Sequence, residues 1–80
     1  MVTVHRQDGF RLVIYLDDHD PPHVQVYRGS GEAKIGLALA AGRPPLLRAS
    51  AMRLGELRKA LRIVAENLPD LRARWDEIHG

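Results

Sequence analysis

Five ionisable side chains crowd into seven positions of this chain, Asp17-Asp18-His19-Asp20-Pro21-Pro22-His23, and nowhere else do carboxylates and imidazoles lie so close together. Imidazole nitrogens and carboxylate oxygens are the donors of zinc, nickel and manganese sites. A carboxylate beside an imidazole also orients that ring as a general base. His19 and His23, with Asp18 or Asp20 completing the set, are the candidate metal ligands, a divalent ion is the candidate cofactor, and metal-assisted hydrolysis or nuclease chemistry is the enzymatic reading. The spacing matches no zinc or catalytic signature, and no third strong ligand follows at a diagnostic distance. The bland alternative is a rigid turn, in which Asp18 and Asp20 accept backbone hydrogen bonds and the histidines satisfy loop carbonyls. Neither reading assigns the chain an enzymatic class.

A second feature is where the charge sits. The formal net charge is only +2, but between Arg43 and Arg62 six basic residues (Arg43, Arg48, Arg53, Arg58, Lys59, Arg62) face one acid, Glu56, giving +5, while the rest of the chain sums to −3. That segment is the candidate contact for an anionic partner, RNA, DNA or an acidic protein. Lys34, two residues from Glu32 on the same side of a strand, either joins it or pairs with Glu32. No aromatic residue is interleaved with the basic segment, which counts against a base-stacking platform there. His5 and His79 lack such a setting and read as surface residues.

The elements that must position these residues divide the chain in two. Val2 to His5 reads as a short strand, Asp8-Gly9 as a turn, and Phe10 to Leu16 as a central strand, apolar on both faces. Pro21-Pro22 interrupts regular structure. His23, Gln25 and Tyr27 then alternate with Val24 and Val26, and after Gly29-Ser30-Gly31 the residues Ala33, Ile35, Leu37 and Leu39 mark an antiparallel partner. Leu46 and Leu47 add a brief edge strand. From Leu54 through Leu57, Leu61, Val64, Leu68, Leu71 and Trp75 to Ile78, apolar residues recur every three or four positions, the stripe of a buried helix face. Ser50 reads as its N-cap, and Pro69 should kink or divide it. The expected fold is α+β, one domain over residues 1–80: a small antiparallel sheet of three to five strands with a C-terminal helix, kinked or split near Pro69, packed on one face.

Bulk properties narrow the setting. With 80 residues, 45% of them hydrophobic, and no cysteine, disulfides and thiolate ligands are excluded, and a chain this short gains from homo-oligomerisation. No apolar segment of signal-peptide or membrane-spanning kind is present, so a cytoplasmic protein without membrane contact is the expectation.

Several of these residues together resemble a known family. Thr3-Val4-His5-Arg6 with Gly9-Phe10-Arg11, the stretch Asp18-His19-Asp20-Pro21-Pro22-His23-Val24-Gln25-Val26, Gly31-Glu32-Ala33-Lys34 and the closing Trp75-Asp76-Glu77-Ile78-His79 are similar to the small bacterial proteins grouped as domain of unknown function family 4160. The resemblance covers essentially the whole chain. It implies a component of a two-gene, toxin-antitoxin-like cassette, with a small cognate protein from the same operon as partner. Gln25 stands where the family's pattern carries a third histidine, and an amide is a poor transition-metal ligand.

Overall fold

The computed structural model describes residues 1–80. Five strands, β1 (Val2–Gln7), β2 (Phe10–Ile14), β3 (His23–Arg28), β4 (Gly31–Gly36) and β5 (Leu46–Ser50), precede two helices, α1 (Leu54–Glu66) and α2 (Leu68–His79). The strands form one antiparallel sheet in chain order, β1-β2-β3-β4-β5, so every strand pairs with its sequence neighbour. The α+β architecture is the one the residue pattern predicts.

Two tight turns set the register. Gln7 pairs with Phe10 across Asp8 and Gly9, whose φ angles of 53° and 83° both lie in the left-handed region. That is the conformation that matches the strand twist, and Asp-Gly adopts it readily. Arg28 pairs with Gly31, and Gly29, at φ 57°, supplies the positive angle there. With registers fixed, alternation decides the faces. Leu12, Val26 and Ala33 align across β2, β3 and β4, as do Val24 and Ile35. These join Phe10, Ile14 and Leu37 and, from the helices, Ala60, Ile63, Val64, Leu71 and Trp75 in one buried cluster. Both helices therefore cover the same face of the sheet. Each large side chain so buried contributes about 1.5–3 kcal/mol against exposure.

Several boundaries differ from the sequence expectation. β2 stops at Ile14, and Leu16 is exposed, because the chain turns at once: Asp18 N–H donates to Tyr15 O. Leu39 likewise lies outside β4 and is exposed. Ser50 is not an N-cap; it ends β5, paired with Glu32, and Arg53 caps α1 instead, its backbone N–H donating to the Glu56 carboxylate at 3.0 Å. Leu54, the first residue of the expected stripe, is 62% exposed, since the helix has only begun there and its buried face starts further along. The stripe itself belongs to two helices that meet at Asn67, with Pro69 in the first turn of α2, where a missing N–H costs no helical bond.

Candidate functional site

The structure divides the acidic-histidine segment: Asp18 stays beside the buried His23, while His19 and Asp20 are exposed on the loop. His23 opens β3 and is 2% exposed, its Nδ1 donating to Pro21 O at 2.9 Å across the Pro-Pro step. Its Nε2 lies 3.3 Å from Asp18 Oδ2 but is not aligned for a hydrogen bond, so the contact is electrostatic proximity rather than a directed bond. Asp18 Oδ2 accepts the Tyr15 backbone N–H at 3.1 Å. On its other side the His23 ring meets Trp75, centroids 5.2 Å apart, and Trp75 in turn meets His79 at 4.0 Å. His79 is therefore no free surface residue: its ring lies against Trp75 and its Nε2 is buried.

This arrangement leaves His23 little chemistry. A general base must reach a proton on a substrate, and His23 is enclosed. His19 and Asp20 are exposed on the loop, and no group of three His, Asp or Glu side chains stands close enough to hold a metal ion. His19, His23, Asp18 and Asp20 thus do not make a metal set. Gln25 is half-buried in the middle of β3, paired with Val13 and Lys34. What the His23 contacts do is close the segment from Tyr15 to His23 into a defined turn.

The basic segment is also dispersed. Arg48 lies on β5 opposite Lys34. Arg58 and Arg62 are exposed on α1, whose buried residues Ala60, Ile63 and Val64 face the sheet, so they look out from the opposite side of the molecule. Lys59 sits 3.8 Å from Asp8, Arg43 closes a turn with Ala40, and Arg53 caps α1. Lys34 makes no ion pair; Glu32 is its strand neighbour but not its partner. A polar hollow beside Arg53 includes Arg28, which is already engaged: it donates to Asp8 O at 2.8 Å and to Glu56 at 3.2 Å, with its guanidinium over Phe10.

Lys34 and Arg48, both expected as partner contacts, meet on the helix-free face of the sheet with residues that sequence reasoning gave no site role. Arg6, Arg11, Tyr27, Glu32 and Ser50 form one cross-strand row, and Thr3, Val13, Gln25, Lys34 and Arg48 the next. The Tyr15 and Tyr27 hydroxyls lie 2.6 Å apart, and the Arg11 guanidinium sits over the Tyr27 ring at 5.4 Å. The Tyr27 hydroxyl is pushed up to about 12, first by burial, then by the bond to Tyr15 and the neighbouring Glu32 charge, with Arg11 acting the other way. The signal for this face was the same alternation that located the core, taken one residue out of phase.

An antiparallel meander with both helices on one face and a largely polar, helix-free face on the other defines a small α+β module. Residues 9–76 match the family described as Domain of unknown function (DUF4160), and the chain belongs to that family. No curated protein and no solved structure matches it. No helix is long and apolar enough to cross a membrane.

Proposed function

We propose that this chain is the protein-binding component of a two-protein, toxin-antitoxin-like module, and that it holds its small cognate partner along the outer edge of β5. The observation that carries this reading is the edge itself. β5 ends the sheet, all five of its residues are exposed, and Leu46 and Leu47 leave 43% and 44% of their surface in solvent. Natural edge strands are guarded by proline, by lysine or by a covering helix. β5 carries one charged residue, Arg48, and a register irregularity against β4, and Pro44-Pro45 directly precede it, but both helices lie on a face of the sheet and leave its edge open. An added strand would pair with the free backbone groups of this edge and rest apolar side chains on the two leucines. Arg43 and Arg53 bracket β5, exposed and without ion pairs, so the fitting segment is extended, apolar in the middle and acidic at its ends. The family's likeness to two-gene cassettes supports a protein partner of this kind.

Two other readings have less support. RNA or DNA contact through the Arg43 to Arg62 segment as one surface conflicts with its division between sheet and helix sides. A metal-assisted hydrolase or nuclease at His19 and His23 lacks a convergent ligand set. The test is co-expression with the protein encoded by the adjacent gene. Wild type should co-purify with it, and amide exchange in β5 should slow in the complex, whereas Leu46→Lys with Leu47→Lys should weaken association on the order of tenfold or more. A complex in which β5 amides gain no protection would sink the edge reading.

A further inference from the structure

The bare face of the sheet carries a charge pattern that the fold itself does not need. Arg6 stands directly opposite Arg11 on β1 and β2, and Lys34 directly opposite Arg48 on β4 and β5. Like charges in directly opposed cross-strand positions destabilise a sheet. None of the four is in an ion pair, although Arg28, Lys59 and Arg74 elsewhere all find carboxylates. Glu32 is the only acid whose strand position falls on this face, and it is opposite Tyr27 and Ser50, not opposite a cation. Two like-charge pairs therefore persist, one toward each margin of the sheet, with Gln25 and the Tyr15–Tyr27 hydroxyl pair between them.

From this pattern we propose that the open sheet face binds single-stranded nucleic acid through its phosphates. The proposal is independent of the β5 edge, which concerns a different surface. A compact anion would satisfy one pair only. Arg6 and Arg48 lie four strand spacings apart, about 19 Å at the usual interstrand distance, so the ligand must be an extended polyanion that crosses the strands. Donors suited to phosphate oxygens occupy much of the path, two guanidiniums, a guanidinium-ammonium pair, the Gln25 amide and the tyrosine hydroxyls, with the Glu32 carboxylate and the buried Val13 among them. A nucleic-acid strand fits better than an acidic peptide because its charges sit on the backbone itself, whereas the carboxylates of an acidic peptide sit on flexible side chains that must be ordered at an entropic cost. The Arg11 guanidinium already covers one side of the Tyr27 ring, so stacking is limited and binding follows the backbone with little preference among bases.

The experiment is fluorescence anisotropy of the full chain with labelled oligouridine and oligothymidine strands over a series of salt concentrations, with poly-glutamate as the competing polyanion. Wild type should bind both strands with similar affinity, with a log–log salt slope of no more than about −3, which is four phosphates at roughly −0.7 each for single strands. Arg11→Gln and Lys34→Gln should each weaken binding several-fold and reduce the slope by about 0.7. Arg6→Gln and Arg48→Gln should do the same, and since both side chains are exposed, folding is not at issue in them. Arg58→Gln with Arg62→Gln, on the helical side, should change neither quantity. Equal affinity in the four sheet-face variants, a loss in the helix variant instead, tighter binding of poly-glutamate, or no binding at low salt would each overturn the proposal.

Discussion

Leu12, Val26 and Ala33 stand in register across three strands and are at most 1% exposed, while one residue along each strand Arg11, Tyr27 and Glu32 stand in the same register on the other face, each partly open to solvent. The backbone is common to both rows, so their difference isolates what side chains contribute. The covered row meets α1 and α2 and supplies cohesion. The open row contributes a ring, a guanidinium and a carboxylate to the face that carries no helix, where Val13 of the adjacent row is nonetheless buried. Apolar packing and surface charge thus fall to alternate residues of the same strands.

Substitutions can break this division or sharpen it. The largest effect should come from the covered side: Trp75→Ala removes a side chain that is 4% exposed and touches both His23 and His79, and a loss of about 3–5 kcal/mol is expected from chemical denaturation. His23→Ala should cost about 2–4 kcal/mol, through lost packing and the lost bond to Pro21 O. His19→Ala, four residues away and exposed, should stay within about 0.5 kcal/mol. If the two histidine variants melt alike, His23 does not anchor the turn. On the open face the sign should reverse: Arg6→Glu places an acid opposite Arg11 and should stabilise the free protein by about 0.2–1 kcal/mol. A destabilised Arg6→Glu protein would mean that the like-charge pairs carry no cost.

The smallest effect is a pH dependence. Because the Tyr27 hydroxyl is raised from about 10 to about 12 in the folded protein, the folded state favours the neutral phenol. Its contribution is complete below pH about 10 and fades as pH rises toward about 12. Phenolate absorbance should show one tyrosine ionising late, and Tyr27→Phe should flatten the fall in stability over that window. A Tyr27→Phe protein with the wild-type alkaline profile would remove this coupling.

Period-two alternation in β3 and β4 and the three-four spacing of the helices were legible because each is set by neighbours within a few residues. The edge strand was legible from Leu46 and Leu47 for the same reason. Leu16, Leu39 and Leu54 misled because apolar residues just beyond an element continue its pattern without sharing its burial. The fate of His23 depended on Trp75, more than fifty positions away, and no local spacing announces that contact. Arg6 opposite Arg11 and Tyr15 bonded to Tyr27 required knowing which strands pair and in what register. The composition of the basic segment was plain, but its division between two sides of the molecule followed from where β5 ends and α1 begins.

The neighbour-to-neighbour order of the strands also bears on how the protein comes into being. Contacts of short sequence separation form quickly, and synthesis delivers the N-terminal part of a domain first. All five strands leave the ribosome before either helix, so a nascent sheet exists for a time with Phe10, Leu12, Val24 and Ile35 facing water. Trp75, whose ring packs on His23, is added more than fifty residues after it. Through that interval the unfinished chain presents an apolar surface to any chaperone that meets it.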